Sequence, residues 1–498
     1  MKREIEKWEG KAGFERYLEW LGEAHRHYEL SVREVLHKNF TSIFNLLRPS
    51  FLVHLFALHP FESIYSRAAK YFWTERLRRV FTFGSMYMGM SPFDAPGTYS
   101  LLQYTELAEG IWYPVGGFHA VVAALVRICE RSGVTVRLNS PITSILTTPD
   151  GSKTTGVQLS TGETLASDLV IINADLVYAY NNLFPTSNSQ TYAKSLQKRA
   201  GSCSSISFYW SLSQTVPQLK THNIFLADEY RESFDSIFDR QSIPREPSFY
   251  VNVPSRIDPT AAPPGKDALV VLVPVGHLLN SSTSSAPYGD PTATSGAGIP
   301  LKAEQDWESI VASARQTILS TIESRTGCAP LQNLITHEEL NTPTSWESTF
   351  NLDKGSILGL SHSFFNVLAF RPKTKHPNIK GVYFVGASTH PGTGVPIVLA
   401  GSKITTEQIL NDRSVRVPWE GKDSVVSGQG VRQGKGTREI DQVRKEVAIL
   451  SNVGIWVLAS VVLGITMLYI NTGLVVGWDG KGKEKGGWGS GRFVEGRW

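Results

Sequence analysis

The chain has 498 residues, 41% of them apolar, with 49 Lys and Arg against 45 Asp and Glu. That length and apolar content support a large core divided over two or more domains, and a net charge of +4 spread among interspersed acidic and basic residues excludes a dedicated nucleic-acid binder. Cys129, Cys203 and Cys328 are widely separated, with neither metal-ligand spacing nor a disulfide framework, so no metal site is expected.

In chain order, the opening MKREIEKWEG is charged and has no apolar run of the secretory type. Apolar residues then recur at helical spacing, and an amphipathic helix is expected over 12–37. The aromatic-rich stretch 51–73 is read as core, as the wall of an apolar cavity or as a contact with a bilayer surface. "GGFHAVVAALVRICERSG" predicts a helix after a Gly116-Gly117 turn, and "VTVRLNSPITSILTT" a strand, a proline break and a second strand. Strands around a Ser160–Gly162 turn lead to the buried-strand run Leu169–Ile172. Runs of β character over 205–275 suggest a mixed sheet in a second domain.

Residues 280–300 are rich in Ser, Thr, Pro and Gly and read as a surface loop, followed by a helix at 303–325. "GVYFV" is a further strand, and a Gly-rich loop joins it to a helix over Val395–Leu410. A polar Gly-rich linker at 421–437 precedes 24 residues without a charge, 447–470, which are long enough to cross a bilayer. The tail after residue 470 has no periodicity.

Common catalytic templates are missing: there is no G-x-S-x-G, H-E-x-x-H, C-x-x-C or Walker lysine loop. His119, His277, His362 and His390 are scattered and read as surface or capping residues. The loop at 386–394 is more informative. Gly386-Ala387 permits close backbone approach, and Gly392 and Gly394 precede a helix whose free N–H groups favour an anion. Two further stretches have the same character: Gly116-Gly117 in "GIWYPVGG", and Asn173-Ala174-Asp175 at the end of "LVIINAD". Several small-residue strand ends of this kind are how a doubly wound sheet contacts a flavin nucleotide.

The combination of "GIWYPVGG", "NAD" at 173–175 and "YFVGASTHPGTGVPIVLAGSKIT" closely resembles the carotenoid desaturase family, the bacterial-type and fungal phytoene desaturases. The likeness continues through "MGMSPFDAPGTYSLLQYTELAEG", "SCSSISFYWSL" and "FNVLAFRP", covers nearly all of residues 1–412, and lies towards the fungal branch. It implies an α/β protein. A Rossmann-like FAD-binding domain would comprise 101–190 and 346–412, and a mixed-sheet and helical substrate domain 191–345. A helical substrate- or membrane-facing region would occupy 1–100, with a linker at 413–446, a transmembrane helix at 447–470 and a disordered tail at 471–498.

The activity implied is FAD-dependent, stepwise dehydrogenation of phytoene towards lycopene or a more desaturated carotene. Hydride passes to the flavin, and a quinone or oxygen serves as acceptor, with NAD(P) left as an alternative cofactor. Cofactor contacts are implied for Gly116, Gly117, Ile142, Asn173, Ala174, Asp175, Gly386, Ala387, Gly392, Gly394, Val395 and Pro396, and a flavin-proximal role for Arg78. Partners implied are partly desaturated carotenes, membrane lipid and a second copy of the chain, but no nucleic acid. The expected location is a membrane, by a single C-terminal anchor with the body facing the cytosol at the endoplasmic reticulum. One departure stands out: the family's opening strand–G-x-G-x-x-G–helix is missing, so a truncated chain that binds FAD poorly is expected. Rival readings are a flavin amine oxidase and an inactive membrane-anchored relative.

Overall fold

The computed structural model describes residues 1–184, 187–279 and 305–419. The chain opens with α1 (Lys2–Ser31), kinked at Gly10 (φ 70°) and continued by a π-helical turn over Val32–Leu36. The helix expected over 12–37 therefore starts ten residues earlier. Short helices α2 (Pro49–Leu55), α3 (Ile64–Ala68), α4 (Glu75–Thr82) and α5 (Leu101–Tyr104) pack around it. Aromatic contact joins them: Trp20 meets Phe72 edge-on, and Phe72 stacks on Phe81 with centroids 4.4 Å apart. The carboxylate of Glu23 is nearly buried, and Arg67 and the Tyr71 hydroxyl satisfy it.

Next come α6 (Gly117–Arg131) and the strands β1 (Ile142–Thr147), β2 (Thr154–Leu159) and β3 (Thr164–Ala166), which form an antiparallel sheet in that order. The strand expected in "VTVRL" is absent. Val134, Val136 and Leu138 are exposed and irregular, because no neighbouring strand offers them hydrogen bonds. After β4 (Val170–Ile172), α7 (Leu176–Asn182) and α8 (Ser187–Gln197) fold back over it.

The next region holds β5 (Ser204–Leu212), β6 (His222–Phe225), α9 (Tyr230–Phe238), β7 (Phe249–Asn252), β8 (Ala268–Val275), α10 (Trp307–Thr326) and β9 (Ile335–Asn341). Its sheet has the order β6-β7-β8-β5-β9. Every pair in it is antiparallel, which corrects the mixed sheet expected here. Ile206, Phe208 and Trp210 of β5 alternate inward with Val271 and Val273 of β8, against Ala314, Ile318 and Ile322 of α10. Asp306 caps α10 by accepting from the Ser309 N–H, and Gly327 ends it in the left-handed conformation.

The chain then forms α11 (Pro343–Phe350), β10 (Val382–Phe384) and α12 (Val395–Asp412). β10 pairs with β4 in parallel, Val382 opposite Val170 and Phe384 opposite Ile172. A parallel pair needs a long crossover, and here the whole antiparallel domain is the crossover.

The single-pass membrane location expected from the sequence is corrected. Among the described residues no helix is long and apolar enough to cross a membrane. The segments 447–470, 471–498 and 280–300, and most of 413–446, lie outside the described residues.

Candidate functional site

The parallel pair brings two of the expected segments together. Val385 extends the ladder by donating its N–H to the Ile172 carbonyl at 3.0 Å, and the chain then turns at Gly386 with φ 99°. A Cβ on Gly386 would stand 2.0 Å from Asn173 Oδ1, so only glycine lets the two strand ends approach this closely. Two residues on, Asp175 caps α7, accepting from the N–H groups of Val177 (2.9 Å) and Tyr178 (3.2 Å). Burial outweighs those donors and pushes its carboxyl up to about 7.

Behind the loop sits Arg371, 1% exposed. Its five N–H donors all find backbone carbonyls: Ala387 (2.6 Å), Asn366 (2.9 Å), Thr389 (3.1 Å), Ser361 (3.3 Å) and Leu360 (3.5 Å). Beside it, His362 accepts the Thr393 N–H at Nε2, 3.2 Å away, which puts the ring proton on Nδ1. That Nδ1 has no partner among the described residues. Burial, reinforced by the Arg371 charge, holds the ring well below its usual pKa, so it stays neutral. At Gly392 a Cβ would lie 2.5 Å from His362 Nε2. His390 donates from Nε2 to the Lys38 carbonyl at 2.9 Å and ties the loop to the end of the α1 region. The surface positions expected for His362 and His390 are thus corrected, because both rings are buried.

Gly394 caps α12 without a side chain, and Val395 and Pro396 are exposed in its first turn. The N–H groups there face outward with the positive end of an 18-residue helix. Two hollows meet this loop. One, of about 360 Å³, has Asp175, Gly359, Ser388, Lys354 and His277 among its lining residues. The other, of about 630 Å³, runs from Val32, Val35, Phe51 and Leu55 to His362, Thr393, Gly394, Pro396 and Ile397. Among the described residues, no Asp, Glu, Lys or Arg lines the larger cavity.

The remaining expected residues lie elsewhere. The Gly116 N–H donates to Asp258 Oδ2 at 2.7 Å, so that turn, with Gly117 at φ 76°, is tied to the loop after β7. Ile142 begins β1 and packs on the core beneath β4. Ala174 packs against that same core between Asn173 and Asp175. Arg78 lines neither hollow; its guanidinium donates to the carbonyls of Phe72 (2.8 Å) and Trp73 (3.2 Å), closing the turn before α4. Sequence reasoning missed Arg371 and His362. The signal for Arg371 was a lone charge inside "FNVLAFRP", where the surrounding residues are apolar.

These features suit a flavin nucleotide on one side: a tightly turned glycine loop that stays open at Gly394, an uncapped helix N-terminus and an orphaned buried imidazole donor. Residues 6–284 match the family model described as flavin containing amine oxidoreductase, which defines the class. Within it, the phytoene desaturase of Cercospora nicotianae is 57% identical over 483 residues, covering 89% of this chain and 76% of the relative. The phytoene desaturase of Fusarium fujikuroi is 60% identical over 433 residues, covering 86% and 75%. That of Neurospora crassa is 59% identical over 431 residues, covering 84% and 69%. The chain belongs to the phytoene desaturase family of flavin-containing oxidoreductases, whose cofactor is FAD and whose reaction is at CH–CH bonds.

Proposed function

We propose that the 630 Å³ cavity receives the polyene of phytoene or a partly desaturated carotene and presents it to FAD held at the 386–396 loop. The observation that carries this is the cavity's composition and its end point. It is apolar, has no charged lining, and finishes at the uncapped start of α12. A hydrocarbon offers no charge to grip, so shape and apolar burial must supply its recognition. A protonated amine would enter the same space with no carboxylate to meet it, which disfavours an amine oxidase.

FAD, when bound, supplies the hydride acceptor. Gly386, Ala387, Gly392 and Gly394 allow its approach, with Asn173, Ala174 and Asp175 on the neighbouring strand end. The first turn of α12, through Val395 and the N–H groups after Pro396, favours negative charge on the reduced cofactor. His362 stays neutral and so adds no competing cation to the cavity head. Water is kept out by the apolar walls, which also suit a quinone as the acceptor better than a polar one.

The finer fold reading rests on exposed apolar groups. Ile171 on β4, Leu125 and Ile128 on α6, and Val136 and Leu138 after it are exposed apolar groups of the kind that a further parallel βα unit with its phosphate loop would cover. The domain divisions of the sequence reading are kept with it.

The test is expression of the chain in bacteria that accumulate phytoene. Coloured, more desaturated product is expected, and Val32→Arg, which places a charge in the cavity, should abolish the colour while leaving the melting temperature close to that of the parent. Phytoene left unchanged both by the parent chain and by one extended with an N-terminal strand–G-x-G-x-x-G–helix would sink the reading.

A further inference from the structure

The reaction described above gives Arg371 no part, yet its surroundings are unusual. All five of its N–H donors are saturated by carbonyl oxygens, and among the described residues no carboxylate pairs with it. Burial draws its pKa down to about 10, so it remains a cation at neutral pH. A buried charge without a counter-charge is costly, and hydrogen bonds to carbonyl dipoles offset only part of that cost. An anion from outside the protein would complete the balance.

The direction of those bonds matters as much as the charge. A trans peptide points its N–H opposite to its C=O. Arg371 draws the Ala387 and Thr389 carbonyls inward, at 2.6 and 3.1 Å. The N–H groups of Ser388 and His390, which share those peptide planes, are turned the other way. Among the described residues neither N–H has a hydrogen-bond partner. The Thr389 N–H between them donates to the Gly386 carbonyl at 3.2 Å, so two alternate free N–H groups lie over a buried cation, donors of the kind that line an anion-binding concavity.

We propose that Arg371 is a positioning residue for the diphosphate of the cofactor: it sets the peptide planes of the 387–390 loop so that their N–H groups face the phosphates, and adds its own charge behind them. Because its donors are fully used, Arg371 acts through the loop and not by contact. The proposal rests on the reading that this loop holds FAD.

The experiment compares FAD with riboflavin, which has the same ring and no phosphate, by flavin fluorescence titration of the full chain. Arg371→Met and Arg371→Lys are measured beside the parent, with melting temperatures. Arg371→Met should weaken FAD at least tenfold and riboflavin less than twofold; Arg371→Lys, which keeps the charge, should recover part of the FAD loss. Equal weakening of both flavins with a lowered melting temperature would assign Arg371 a structural role only and overturn the proposal, as would unchanged FAD binding in Arg371→Met. Failure of the parent chain to bind FAD at all would instead overturn the cofactor reading, and the proposal with it.

Discussion

The antiparallel sheet β5–β9 and the parallel pair β4–β10 are built from strands of similar composition but meet different fates. Phe208, Phe249, Val251 and Val271 in the first are fully buried, with α10 closing one face. In the second, Ile171 is 50% exposed although its neighbours Ile172 and Phe384 are buried. α6 has no buried residue at all, for all its apolar face. The antiparallel sheet covers the face that carries its main core and exposes Tyr209, Ile224 and Leu340 elsewhere, whereas the parallel pair and α6 leave more apolar surface open. The loop proposed above to hold the cofactor stands on this second, half-satisfied region, and the cavity leans on the helical cluster beside it.

The largest contrast should appear in core truncation. Phe208→Ala removes a ring with no solvent exposure and should cost about 3–5 kcal/mol in urea unfolding. A loss below about 1 kcal/mol would mean the sheet core is loosely packed and the comparison fails at its firmer end.

Acid should separate the regions next. His27 lies in the helical cluster, and His376 and His390 flank the parallel pair and its loop. Burial holds all three at about 4 in the fold. The unfolded chain takes up these protons from about pH 6.5, so stability should fall as pH drops from 6.5 towards 4. In the antiparallel domain burial also lowers His222 on β6 and His277 just after β8, but both lie at the margin of its main core and not within it. Hydrogen exchange followed from pH 7 to 5 should therefore show the helical cluster and the loop opening before β5 and β8 do. Simultaneous opening would remove the distinction.

Asp175 gives the opposite sign. Its folded pKa of about 7 lies above the unfolded value of about 4. The fold then holds the proton more tightly, and stability is lost as pH rises from 4 to 7. Asn at this position keeps an oxygen for the Val177 and Tyr178 N–H groups. Asp175→Asn should therefore flatten that part of the stability profile and gain about 2 kcal/mol at pH 8. An unchanged profile would place the carboxyl in water.

Much of this was legible in the sequence, for reasons that explain the failures too. The 383–396 strand–loop–helix was readable because glycine, proline and an apolar run are local signals, and β10 and α12 form where they indicate. "VTVRL" carries an equally good local signal and forms nothing, since a strand exists only with a neighbour. Arg371 was invisible because its role comes from carbonyls of five residues in two separate loops. Arg78 shows the converse: a conspicuous arginine that lines neither hollow and whose guanidinium closes the turn before α4.

The smallest effect is also the most pointed test of the open face. Leu125 on α6 is 46% exposed, and Ala is the better helix former by a few tenths of a kcal/mol. Leu125→Ala should thus leave stability within about 0.5 kcal/mol of the parent, whereas the same change at a covered position would cost about 2–5 kcal/mol. Urea unfolding of the two chains separates these outcomes cleanly. A loss of the larger size would show that the α6 face is packed against something in the folded protein. The half-satisfied region would then be as complete as the antiparallel one, and the surface assigned above to a further βα unit would already be filled.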